Sequence, residues 1–97
     1  MNEILIPNAS LYASRLQIEI GETLGSGKDG IVLVAKRKAQ PAKFAMKVLR
    51  WNEAYEREKK VYERLRELGV NTVLGFNVPQ LLGCEDDLRI LLLFPIF

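Results

Sequence analysis

Histidine is missing altogether and cysteine occurs once, as Cys84. A cysteine/histidine zinc site therefore cannot be assembled, and no internal disulfide can form. Both absences suit a reducing, cytoplasmic setting. No signal-peptide pattern opens the chain: Met1 to Tyr12 carries no basic segment leading into a long apolar stretch, so secretion is not indicated. Asn8-Ala9-Ser10 is then a chance glycosylation sequon. The longest apolar run, Ile90 to Phe97, is broken by Pro95 and is less than half of what a bilayer-spanning helix requires, so no membrane span is expected. An excess of one charge is lacking too. Fourteen basic and twelve acidic residues are interspersed and leave a net charge of +2, which gives nucleic-acid binding no support. Repeats and low-complexity stretches do not occur.

What is present suffices for one small domain: 97 residues, 48% of them hydrophobic, can bury a thin core. Residues 1–14 mix Ile4, Leu5 and Ile6 with Pro7 and small polar residues, and read as an extended arm lying on a domain of residues 15–97. From Arg15 the pattern alternates, with Leu16, Ile18 and Ile20 on one face of a strand that runs into Leu24 and a glycine cluster. The β-branched run Ile31 to Ala35, a polar turn through Gln40 and Pro41, and Phe44 to Leu49 complete a three-stranded meander. The period then changes. Trp51, Tyr55, Glu58, Tyr62 and Leu65 recur at helical intervals, predicting one amphipathic helix over 53–68, with Asn52 as N-cap and Gly69 as the C′ glycine. After a loop over 70–77, Val78 to Cys84 and Leu88 to Phe94 read as two further strands joined by the acidic turn Glu85-Asp86-Asp87.

Gly25-Ser26-Gly27-Lys28-Asp29-Gly30 fits G-x-G-x-x-G. A dinucleotide-binding loop must open directly into a helix, yet a β-branched run follows Gly30. A Walker A loop fails as well, because Glu22 and Asp29 occupy positions that need glycine and Ser or Thr. Two readings remain: a hairpin whose backbone amides fold over a phosphate chain, or an ordinary hairpin turn.

Two charges stand in the wrong places. Strand alternation puts Lys47 between Ala45 and Leu49, opposite the face of Phe44, Met46 and Val48, while Glu58 interrupts the apolar stripe between Tyr55 and Tyr62. Burying either charge alone costs several kcal/mol, about what a Lys47–Glu58 ion pair offsets. The alternative is a Lys47 that snorkels to the rim and a Glu58 at the stripe's edge.

At these residues the chain resembles the protein kinase family. Leu24-Gly25-Ser26-Gly27-Lys28-Asp29-Gly30-Ile31-Val32 is similar to its L-G-x-G-x-x-G-x-V loop, Ala45-Met46-Lys47 to its third-strand A-x-K, and Glu58-Lys59-Lys60-Val61 to the start of its αC glutamate segment. The resemblance covers roughly residues 16–94 and implies an α+β fold, the kinase N-lobe, with a five-stranded antiparallel sheet and one αC-type helix. It implies ATP as ligand. Backbone amides of Ser26, Gly27, Lys28, Asp29 and Gly30 would cover the triphosphate, with Gly25 at the base of the loop. Lys47 would contact the α and β phosphates, Glu58 would orient that lysine, and Leu24, Val32 and Ala45 would line the adenine roof. Asp29 departs from the pattern, standing where an aromatic is usual and bringing negative charge near phosphates.

The H-R-D-x-x-x-x-N and D-F-G elements that handle the acceptor hydroxyl and Mg²⁺ do not occur, so the resemblance implies no catalytic or metal-binding residue in this chain and no activity from it alone. Mg²⁺ and phosphoryl transfer would come only with a C-terminal lobe. The apolar end, Leu91 to Phe97, is expected to engage such a lobe or to drive homo-oligomerisation, in part by strand exchange. A competing reading is a non-catalytic kinase-like module that binds another protein.

Overall fold

The computed structural model describes residues 4–95; residues 1–3 of the expected arm, and Ile96 and Phe97 of the apolar end, lie outside them. In chain order the elements are α1 (Leu5–Leu16), β1 (Ile18–Ser26), β2 (Gly30–Arg37), β3 (Lys43–Leu49), α2 (Asn52–Glu67), the short strands β4 (Thr72–Val73) and β5 (Phe76–Asn77), then β6 (Gln80–Glu85) and β7 (Ile90–Phe94). Five strands form one antiparallel sheet in the order β1-β2-β3-β7-β6, and β4 with β5 makes a separate small hairpin. The fold is α+β with two helices among the described residues, one more than the sequence suggested.

The additional helix replaces the extended arm. Leu5, Ala9, Tyr12 and Ala13 recur at helical spacing and are buried on one side of α1. Pro7 does not break it, because it lies in the first turn, where backbone N–H groups have no intrahelical partner to lose. The helix ends at Gln17, which takes a left-handed conformation with φ of 55°. Leu16, expected in the first strand, is therefore the last helical residue and is exposed.

Alternation along β3 decides where both helices go. Phe44, Met46 and Val48 join α1, Ile31, Leu33 and Ala35 of β2, and Ile90 and Leu92 of β7 in one cluster. Ala45 and Leu49 face the opposite side and join Ala54 and Tyr55 of α2 with Leu81, Leu91 and Leu93 in a second. The centre of the sheet is thus covered on both faces, and α1 belongs to the core of the same domain.

Helix α2 begins one residue earlier than expected, with Trp51 rather than Asn52 at the N-cap and no side-chain cap. Trp51 opens the apolar stripe in sequence yet remains 54% exposed. At the other end Gly69 has φ of 67°, its N–H donates to the Arg66 carbonyl at 3.1 Å, and the Val70 N–H reaches Leu65 at 2.9 Å. This pair of bonds is a Schellman motif at the predicted C′ glycine. The expected loop over 70–77 folds into the β4–β5 hairpin through Leu74 and Gly75, both at positive φ. Strand β7 lies between β3 and β6, so among the described residues the open edges of the five-stranded sheet belong to β1 and β6.

Leu5 is fully buried whereas Ile6 is 41% exposed. Leu5→Ala should therefore destabilise the protein by about 2–5 kcal/mol in urea unfolding, and Ile6→Ala by less than about 0.5 kcal/mol. Equal, small effects would return the segment to a loosely attached arm.

Candidate functional site

The glycine cluster forms the turn between β1 and β2. Gly27 donates its N–H to the Gly30 carbonyl at 2.9 Å, closing the hairpin. Gly30 sits against β3 so closely that a Cβ there would lie 2.1 Å from the Val48 carbonyl oxygen. Only glycine fits. Around Gly25 and Gly27, by contrast, an added Cβ would meet nothing within 4 Å.

Lys47 and Glu58 meet. The Lys47 Nζ lies 2.5 Å from Glu58 Oε1, and the two side chains are 28% and 22% exposed. Cross-strand register sets Lys47 opposite Val32 on one side and Leu91 on the other, under the glycine hairpin. Neither charge is fully desolvated, and neither is free to hydrate as an exposed residue would.

Two adjoining clefts open at this place. One, of about 340 Å³, is bounded by Gly25, Ser26, Gly27, Lys28, Asp29 and Gly30 together with Val32, Lys47 and Glu58. The other, of about 240 Å³, is apolar and is bounded by Leu24, Gly25, Val32, Ala45, Pro79, Leu93 and Pro95. Gly25 and Val32 are common to both. Every residue of the expected nucleotide set, from Leu24 to Gly30 with Val32, Ala45, Lys47 and Glu58, therefore borders one cleft or the other. Leu24, Val32 and Ala45, the expected base-binding set, share the apolar one.

The remaining contributors were not anticipated. Leu93 pairs with Ala45 across the β3–β7 ladder, and its position two residues from Leu91 would have placed it on the same face. Pro79 and Pro95 are brought there by the sheet and had no local signal. Arg50 touches the hairpin tip, donating from Nη1 to the Lys28 carbonyl and, at 3.4 Å, to the Gly27 carbonyl. Its backbone N–H donates to the Asp29 carbonyl at 2.7 Å. The Asp29 carboxylate turns toward Arg57, 4.0 Å away.

A polar clamp fixes α2, and hence Glu58, against the sheet. The buried Tyr55 donates its hydroxyl to Asp86 Oδ1 at 2.6 Å, and Lys59 Nζ reaches the same oxygen at 2.8 Å. The Lys59 hydrogen bond, then that of Tyr55, holds the Asp86 carboxyl below its ordinary range. Burial, then the bond to Asp86, pushes the Tyr55 phenol up, and the same carboxylate raises Lys59. Glu58 lies between the two clamped residues in sequence. Among the described residues no group of three or more acidic or cysteine side chains gathers to hold a metal ion, and no helix is long and apolar enough to cross a membrane.

Comparison with protein-family models, with curated proteins and with solved structures gives no match for this chain.

Because the Asp86 value is lowered in the fold, its contribution is present above the unfolded carboxyl value of about 3.9 and is lost as pH falls through the folded one. Asp86→Asn should lower the melting temperature at neutral pH, and the difference from wild type should begin to shrink near about pH 4 and vanish only below the lowered folded value. A difference that persists unchanged in acid would mean that Asp86 acts through something other than its charge.

Lys47→Met and Glu58→Gln, combined in a double-mutant cycle, should show a coupling of about 1–3 kcal/mol, between exposed and fully buried pairs. A coupling near zero in urea unfolding would mean that solvent screens the pair.

Proposed function

We propose that this chain is the ATP-binding amino-terminal lobe of a protein-kinase-like fold, with phosphoryl transfer only when a C-terminal lobe completes it. The observation that carries the reading is the Lys47–Glu58 pair, 2.5 Å apart, beneath the glycine hairpin. In protein kinases the third-strand lysine meets the α and β phosphates and is held by a helix glutamate, under a glycine-rich loop. Lys47 and Glu58 take those roles here. The apolar cleft beside them, with Leu24, Val32 and Ala45, suits the flat face of adenine, and the hairpin amides of Ser26 to Gly30 suit the phosphates.

The openness around Gly25 and Gly27 supports the same reading. The fold itself does not require glycine there, whereas close approach of a ligand to the backbone does. The residues that would hold Mg²⁺ and handle the acceptor hydroxyl, H-R-D-x-x-x-x-N and D-F-G, are not in the sequence, so no transfer step is assigned to this chain. A cytoplasmic location is part of the proposal, consistent with the single free thiol of Cys84.

Titration with a non-hydrolysable ATP analogue, followed by Trp51 fluorescence and amide chemical shifts, tests this directly. Saturable binding below roughly millimolar concentration is expected, weakened at least about tenfold in Lys47→Met. Flat signals in wild type, or binding undiminished in Lys47→Met, would reject it.

A second reading, a non-catalytic module that captures another protein, is favoured by the exposed Val61 between Lys60 and Arg64 on the outer face of α2. Partner capture lost in Val61→Asp and retained in Gly27→Val would support this second reading over the first.

A further inference from the structure

Three successive carbonyls of the hairpin tip point at one residue. Arg50 Nη1 takes those of Gly27 and Lys28, and the Arg50 backbone N–H takes that of Asp29. In a trans peptide the N–H of the next residue points opposite to the carbonyl. The amides of Lys28, Asp29 and Gly30 are therefore turned away from Arg50. Consecutive amides directed the same way form an anion-binding concavity.

We infer that Arg50 is a positioning residue for phosphate binding: by holding the carbonyls of Gly27 and Lys28, it presents the Lys28, Asp29 and Gly30 amides to the phosphate chain of a nucleotide. The inference rests on the ATP-binding reading and deepens it. Arg50 need not touch the ligand. Its position follows from the β2–β3 register, which pairs Gly30 with Leu49 and so brings the residue just after β3 level with Asp29. The same arrangement answers the misplaced acidic residue, because the Asp29 side chain is drawn toward Arg57 while its backbone amide is directed by the Lys28 carbonyl.

A charge that orders the phosphate loop should matter for phosphates and leave the base alone. Wild type, Arg50→Met and Arg50→Lys are each titrated with the ATP analogue and with adenosine, and amide exchange of residues 28–30 is measured without ligand. Arg50→Met should weaken the analogue about tenfold, leave adenosine within about twofold, and speed exchange of the three amides, with Arg50→Lys recovering part of the loss. Equal affinity of wild type and Arg50→Met for the analogue overturns the inference and leaves the ATP-binding reading intact. A parallel loss of adenosine binding also overturns it, since the arginine would then serve only the fold. Should wild type bind neither compound, the ATP reading fails. The role of Arg50 is then judged on pyrophosphate, which should shift amides 28–30 in wild type and not in Arg50→Met; no shift in wild type overturns the inference as well.

Discussion

A charge on a strand that is buried on both faces has to be answered from within the fold. Strand β3 carries Phe44, Met46 and Val48 into the α1 cluster and Ala45 and Leu49 into the α2 cluster, and Lys47 is the residue that interrupts this second surface. Its ammonium cannot be left in apolar surroundings, since an unpaired charge there costs several kcal/mol. Glu58 supplies the counter-charge and is itself kept from full hydration by the helix packing around it. The pair borders a cleft shared with the glycine hairpin and Val32. Gly25 and Val32 are shared with the apolar cleft beside it, which Ala45 borders as well.

An ion pair of this kind constrains geometry only if both partners are held. On the sheet side the ladders on either side of β3 fix the Lys47 backbone. On the helix side the burial of Tyr55 and the bonds from Tyr55 and Lys59 to Asp86 anchor α2 to the turn between β6 and β7. Asp86 is exposed and Tyr55 is not, so the clamp joins a buried hydroxyl to a carboxylate that water still reaches. Such an arrangement limits rotation of α2 about its axis without the cost of a fully buried charge.

Strand parity and helical period were sufficient to find the two faces of β3 and the helix α2, because each depends on spacing within one element. They also showed Lys47 and Glu58 out of place, and the cost of burying either charge alone then pointed to the pair. The first helix was hidden by Pro7, Asn8 and Ser10, which look like breakers when the position of the proline within the turn is unknown. Its stripe of Leu5, Ala9 and Tyr12 was visible, but only the second apolar face of the sheet gives that stripe a partner. Trp51 failed in the opposite sense: its spacing fits the stripe, and the start of the helix leaves it in solvent. Pro79, Pro95 and Arg50 reach the site through tertiary register, which no single stretch of sequence encodes.

The glycine pattern separates into two kinds of requirement. Gly30 is demanded by the fold, because the Val48 carbonyl occupies the space of its missing side chain. An ordinary tight hairpin laid on a third strand would need that glycine whether or not it bound anything. Gly25 and Gly27 have open space above them, so packing does not explain them. Under the ATP-binding proposal the functional content of the motif lies in these two residues and in the tip carbonyls that Arg50 holds, rather than in the spacing of three glycines as such. A hairpin with only the steric glycine would retain this sheet, since no neighbour stands within 4 Å of a Cβ at Gly25 or Gly27.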